Sequence, residues 1–385
     1  MWTYAFCYLY GFNKCKIRLL PCAGNPILLQ LKKRRFLCKN CKHTFSAKTN
    51  IVNKNASIAN QVFQHIHIDL AKKLSEKDIA KAHFVSHSTV SRCIDNNFKQ
   101  FTPNYNYLPK HLCFDEFKST KDAKGAMSFI FCNAKTHDII DIVENRQFNF
   151  LDNYFKHFTK DARASVKTIC IDIYSPYIKL INTHFPNAKI IFDKFHIINL
   201  INRALIKTRI ETMRKFSVNS MEYKRLKRYW KLIQENIYKL NYIHFRKYVH
   251  FKRWKSSLGV VEETVSCDPV LKETYYAYQL LLNDITNKDI NSLKEDLISL
   301  RSRVSKYMKT SIDTILRYID YVDNTLHYEY TNGCIEGINN YIKVLKRVAF
   351  GYKSFFHFRN RILISKRIMQ VKLELKCIDK TMRKY

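Results

Sequence analysis

The sequence predicts an α/β protein: a sheet interleaved with helices, split by a long all-helical insertion and preceded by two small modules. Three observations carry this. From about residue 109, apolar runs of strand length alternate with helical periodicity in the order βββαβαβ. From about 201 to 328, strand signals are few and helical ones many, as in Tyr223-Lys224-Arg225-Leu226-Lys227-Arg228-Tyr229-Trp230-Lys231. Upstream lie a β-rich stretch ending in a CxxC pair and then three helical segments. At 385 residues the chain exceeds one ordinary core and fits two to four domains. The expected divisions are 1–48, 49–108, 109–200, 201–328 and a completion of the core over 329–385.

Composition narrows the function class. Apolar residues make up 46% and aromatics 14%, enough to bury cores, while 67 Lys+Arg face 32 Asp+Glu for a net charge of +35. Such an excess favours a polyanionic partner through phosphate contacts and counterion release. A merely basic soluble or ribosomal protein is the bland alternative. An anionic membrane surface is disfavoured because the basic residues run along the whole chain. No apolar run reaches the 18 to 20 residues that span a bilayer, and there is no secretory signal. The expectation is a cytoplasmic, nucleoid-associated bacterial protein with no membrane partner. Twelve cysteines imply no disulfides in that compartment. Cys113, Cys132 and Cys170, inside apolar strand-like segments, read as small core residues.

The first 48 residues read as a small zinc-ribbon-like module, with strands at Ile27-Leu28-Leu29-Gln30-Leu31 and Arg34-Arg35-Phe36-Leu37. Only Cys38 and Cys41 have metal-ligand spacing, and a tetrahedral zinc site needs four ligands. The other two would come from Cys7, Cys15, Cys22 or His43; the alternative is a structural remnant without zinc. A helix over Gln61–Leu74 follows, with Val62, Ile66, Leu70 and Leu74 on one face. Ser75 with Asp78 three residues on reads as an N-cap opening a short helix to His83. A third helix opens at Ser86, with Val90, Ile94 and Phe98 facing inward and Ser88, Thr89, Ser91 and Arg92 outward. This spells a helix-turn-helix whose last helix enters a major groove, weighed against an ordinary helical hairpin.

The core elements run Leu112–Phe117, Ala126–Cys132 and Ile139–Glu144 as strands, then helix Phe150–Phe158. Strand Val166–Asp172, helix Pro176–His184 and strand Lys189–Phe192 follow. That order is the order of the RNase H-like fold, in which the first and fourth strands lie side by side. Asp115 and Asp172 would then meet although far apart in sequence. Carboxylates are what magnesium, a hard oxygen-seeking cation, takes. Two such ions, Mg2+ or Mn2+, can serve both oxygens of an in-line displacement at phosphorus. Glu116 rivals Asp115, but strand alternation puts only one of the pair on the active face.

A helix is expected from Cys334 to Met369. Its 3.6-residue spacing puts Glu336, Asn339, Asn340, Lys343, Lys346 and Arg347 on one face, and Ile338, Ile342, Leu345 and Ala349 on the other. An acid heading a face of amides and cations suits phosphates beside a metal site; a solvated charged face is the bland reading. After a break at Gly351-Tyr352, Phe355, Phe358, Arg359 and Arg361 extend the pattern, offering rings for stacking beside cations for phosphate.

These motifs resemble the bacterial insertion-sequence transposases of the ISL type, the third such group, over nearly the whole chain. The marks are Arg34-Arg35-Phe36-Leu37-Cys38 with Cys41, Asp115-Glu116-Phe117, and Asp172 with Ser175-Pro176-Tyr177. Further marks are Phe185-Pro186-Asn187-Ala188, Phe192-Asp193-Lys194-Phe195-His196, Asn332-Gly333 with Glu336-Gly337 and Asn339, and Phe358-Arg359 with Arg361-Ile362. The resemblance implies a DDE triad of Asp115, Asp172 and Glu336 as catalytic and magnesium-binding residues, with Asp193 and His196 supporting. Members usually begin with a first CPxC pair, which here would fall at or before residue 1, so a late start is expected. The implied activity is cleavage at terminal inverted repeats and strand transfer into target DNA. The partners are double-stranded DNA and a second copy of the chain. The rival readings are a non-catalytic DNA-binding repressor and an RNase H-like nuclease that cuts without joining.

Overall fold

The computed structural model describes residues 7–96 and 101–366. Phe98 and the expected end of the last helix at Met369 lie outside them. Strands β1 (Cys7–Arg18), β2 (Leu28–Cys38) and β3 (Thr44–Ser46) form an antiparallel sheet in that order. The two short strands expected at 27–31 and 34–37 are one continuous strand, paired along its length with β1, which the sequence reading had not assigned. Ala23 and Gly24, both at positive φ, turn the chain between them, where glycine meets no steric penalty. Three helices follow: α1 (Asn60–Leu70), α2 (Glu76–Ala82) and α3 (His87–Asp95). Helix α1 buries Val62, Ile66 and Leu70 and stops before Leu74. Ser75 caps α2, its Oγ accepting from the Asp78 amide at 3.1 Å as expected.

The central sheet comprises β4 (His111–Lys118), β5 (Met127–Asn133), β6 (Ile139–Val143), β7 (Thr168–Ile171) and β8 (Lys189–Phe192) in the order β6-β5-β4-β7-β8. The first three strands pair antiparallel, while β4, β7 and β8 run parallel. This five-stranded mixed sheet is compatible with an RNase H-like core. The connections are α4 (Phe148–Phe155), a short α5 (Lys160–Ala164) that the sequence reading missed, and α6 (Ser175–His184).

Strand alternation divides the core into two layers. On one face Leu112, Phe114, Phe129, Phe131, Ile169 and Ile171 meet Phe155, Leu180 and Phe185 from the covering helices. Phe114 stacks on Phe155 at 5.8 Å and meets Phe129 edge-on at 5.0 Å. Each ring removed from water contributes roughly 1.5–3 kcal/mol, and emptying the Phe114 site would cost about 3–5 kcal/mol.

On the other face Cys113, Phe117, Ile130, Cys132, Cys170 and Ile191 lie under α15 (Gly333–Val348). That helix brings Ile335, Ile338, Ile342 and Leu345, on the apolar face its periodicity predicts. The same apolar cluster takes in Val62, Ile66, Leu70, Ile79 and Val90 of α1–α3. The expected division at 108/109 therefore crosses a continuous core.

Between β8 and α15 the ordered elements are mainly helices: α7 (Lys194–Arg214), α8 (Met221–Arg228), α9 (Trp230–Gln234), α10 (Ser257–Val265), α11 (Pro269–Asn287), α12 (Ile290–Leu300), α13 (Lys306–Arg317) and α14 (Ile319–His327). Helix α7 starts directly after β8, with Asp193 capping it. Helix α14 returns to the sheet: Asn324 Nδ2 donates to Ile190 O at 3.0 Å, and the Phe192 amide donates to Thr325 Oγ1 at 2.9 Å. These bonds satisfy backbone groups that an edge strand would leave open.

Candidate active site

The site is built where the parallel pairing of β4 with β7 ends. Their register pairs Cys113 with Cys170, so Asp115 and Asp172, two positions further on, come side by side. Asp115 Oδ1 accepts from the Glu116 amide at 2.7 Å, and its Oδ2 accepts from Asn339 Nδ2 at 2.7 Å. Asp172 Oδ1 accepts from Asn332 Nδ2 at 3.2 Å and lies 3.1 Å from His196 Nε2. Asn332 also donates to Phe114 O at 3.3 Å, tying the loop before α15 to the centre of the sheet. Ligand atoms of Asp172, Asp193 and His196 all lie within 4.8 Å of one another. Glu336 stands exposed in the first turn of α15, and its charge reaches Asp115.

Electrostatics mark this as a strained cluster of acids. Burial pushes the Asp115 carboxyl up to about 7, and the negative charges of Asp172, Glu116 and Glu336 add to the rise. Asp172 is raised as well, by burial first; His196 and Asn332 oppose the rise, and Asp193 and Glu116 augment it. Carboxylates that repel one another in a half-buried cleft are a donor set that a divalent cation relieves, so the residues fit magnesium or manganese. Glu116 is engaged otherwise: Arg146 pairs with it, and Tyr177 Oη donates to it at 2.6 Å.

Asn332 is the residue the sequence reading left without a role. It appears there only as part of an Asn-Gly pair; a contact across 160 residues has no local signal. Asn339 was expected to face DNA. It is instead 8% exposed and orients Asp115.

The rest of the basic face divides. Asn340, Lys343 and Arg347 are exposed on α15. Lys346 donates to the carbonyls of Lys118 at 3.1 Å and Ser119 at 2.6 Å, so its ammonium is already engaged. Arg359 and Arg361 do not form a phosphate-facing surface. Arg359 is buried and paired with Asp141, and Arg361, 0% exposed, donates to the carbonyls of Lys72 and Leu74. Phe355 and Phe358 are likewise core rings rather than a stacking platform. Arg359 lies against β6 and the Phe101 carbonyl, whereas Arg361 is covered by the turn between α1 and α2.

On α3, Ser88 and Arg92 are exposed, and Ser91 donates to Glu76 at 2.9 Å. Thr89, expected to point outward, is 6% exposed. It shares the buried side of the helix with Cys93, one turn on.

At the N-terminal sheet, Cys7 pairs in register with Cys38, and its thiol interacts with those of Cys38 and Cys41. Cys15 donates to Leu31 O at 3.6 Å, and Cys22 is exposed. Among the described residues this module holds no group of three ligand atoms within 4.8 Å.

Residues 112–362 match the model of the ISL3-type DDE family, described as transposase. A transposase for insertion sequence element IS1001 from Bordetella parapertussis is 19% identical over 89% of this chain and 82% of its own length. A Lactococcus lactis protein named ATP-dependent protease is 30% identical over 131 residues, 34% of this chain and 39% of its own. The chain thus spans well under half of that second relative, and none of its seven glycines stands in a GxxxxGK[ST] phosphate loop. No helix among the described residues is long and apolar enough to cross a membrane. With the family model covering the sheet, the helical insertion and the helix that carries Glu336, this chain belongs to the ISL3-type transposase family.

Proposed function

We propose that the chain is the DNA transposase of a bacterial insertion sequence, with an RNase H-like core whose DDE triad is Asp115, Asp172 and Glu336. The observation that supports this reading is the meeting of Asp115 and Asp172, each two residues past the last register pair of β4 and β7, with the Glu336 charge acting on Asp115. Two divalent cations, Mg2+ or Mn2+, would be held by these three acids and supply Lewis-acid activation of the attacking oxygen and stabilisation of the leaving one.

The chain's own residues do the rest. Asn339 and Asn332 fix the two aspartates, each by a side-chain amide donated to a carboxylate. His196 sets the orientation of Asp172 from the side and Asp193 backs it. Asn340, Lys343 and Arg347, exposed beyond Glu336, bind phosphates of the strand being cut. Helices α1–α3 serve as the helix-turn-helix that reads the inverted repeats, with Ser88 and Arg92 exposed and Ser91 half-buried on its last helix. Water first attacks at the element end to free a 3′-OH, and that hydroxyl then attacks target DNA. Positioning accounts for much of such catalysis. Two ends must be brought together, so the working unit is a dimer or larger assembly on DNA.

The test is a plasmid carrying the element's own ends, incubated with protein and magnesium. Nicked ends and joined products that vanish with Asp172→Asn support the reading. Cutting without joining favours the nuclease, and end binding without metal-dependent cutting favours a repressor.

A further inference from the structure

Directly beneath the carboxylates, cysteines from three elements converge. Cys113 on β4 and Cys132 on β5 face each other across the antiparallel pair. Cys334, in the first turn of α15, places its Sγ 3.7 Å from both of theirs. All three sulfurs lie within 4.8 Å of one another. Cys170, the register partner of Cys113 on β7, brings a fourth thiol against Cys113. Cys113, Cys132 and Cys170 are 0% exposed, and Cys334 is half-buried, leaving a route from solvent.

Filling the core would explain one sulfur on each strand. It would not require a further cysteine, from a helix some two hundred residues later, to meet two of them at equal distance. In a tetrahedral zinc–thiolate site, Zn–S bonds of about 2.3 Å set neighbouring sulfurs roughly 3.8 Å apart. The two contacts made by Cys334 match that edge.

We infer that Cys113, Cys132 and Cys334 form a buried three-thiolate site for a thiophilic divalent cation of the zinc class, with Cys170 beside Cys113 at its edge. Donor chemistry separates it from the carboxylates above, because soft sulfur selects zinc while magnesium goes to oxygen. Binding releases the thiol protons to solvent as the thiolates form. The position gives the site a consequence. Cys113, Cys170 and Cys334 each stand two residues before an acid of the proposed triad, Asp115, Asp172 and Glu336 respectively. An ion there pins the first turn of α15 to β4 and β5, and with it the helix that carries Glu336.

The test uses the full chain with Cys7→Ser, Cys38→Ser and Cys41→Ser, which removes the N-terminal thiols from consideration. Elemental analysis of this protein, purified without a histidine tag from zinc-supplemented cells, should give about one zinc per chain. Adding Cys132→Val and Cys334→Ala should lower that at least tenfold while circular dichroism still reports a folded protein. Cobalt added to the metal-free background protein should produce a thiolate-to-cobalt charge-transfer band, a readout that needs no core substitution. A background protein that holds no zinc and gives no such band would overturn the assignment. So would zinc retained in full after both core cysteines are replaced.

Discussion

Replacing Asp115 with Asn should stabilise the cation-free protein while abolishing its chemistry. The carboxyl is carried from 3.8 to about 7, mainly by burial and then by Asp172, Glu116 and Glu336. A folded pKa above the ordinary carboxyl value means that the associated stability is complete below about pH 4 and is lost as pH rises toward 7. At pH 8 the difference sets a ceiling of about 4 kcal/mol, falling to about half that near pH 5.5. Asn offers one acceptor where Asp offers two, so the Glu116 amide or Asn339 loses its partner, at about 1 kcal/mol. The net expected gain at pH 8 is about 1–3 kcal/mol, a rise of a few degrees in Tm. Thermal melting with EDTA at pH 8 and pH 5.5 reads it, with a larger gain at pH 8. Added magnesium should raise the wild-type Tm more than that of the variant. An Asp115→Asn protein that melts at or below wild type at pH 8 would refute the picture of mutually repelling acids.

Four further outcomes are expected. Asn332→Ala removes the amide that holds Asp172 and should lower the cleavage rate about 10- to 100-fold, as loss of a group orienting a metal ligand typically does. End binding in a gel-shift assay should stay unchanged. Arg359→Ala leaves buried Asp141 without its partner and should destabilise the fold by about 3–5 kcal/mol in denaturant titration. Lys343→Ala or Arg347→Ala should instead leave stability alone and reduce the salt slope of DNA binding by about 1 each. His357 sits between Glu76 and Asp95, at 2.8 and 2.7 Å. Burial would lower its pKa, yet hydrogen bonds and charge from those two acids raise it above 6.5. The stability it gives is complete below about pH 6.5 and is lost as pH rises through the raised value. Hydrogen exchange in α2 and α3 should accelerate across that range in wild type. In His357→Gln it should be fast at every pH.

The central sheet was legible because its signals are local. Short apolar runs mark β4 to β8, and the register that joins Asp115 to Asp172 follows from their order. What lay hidden depends on contacts between distant segments. Strand β1 has little periodicity of its own and is fixed by pairing with β2. Arg359 and Arg361 carry the charge and spacing of a DNA-facing helix, and only the packing of β6 against Arg359 and of the α1–α2 turn against Arg361 shows that they are buried. Asn332 and Asn339 look alike as surface amides until the sheet places a carboxylate opposite each. Cys113, Cys132 and Cys334 show no CxxC spacing, since the fold and not the sequence brings them together.

The most direct test of the catalytic assignment is strand transfer from the element's own ends in magnesium, comparing wild type with Asp172→Asn and Glu336→Gln at equal end occupancy. The expected result is joined product from wild type and a loss of at least about a thousandfold in both variants, each still bound to the ends. Joined product at the wild-type rate from either variant would contradict the assignment of that acid and the two-cation chemistry built on it.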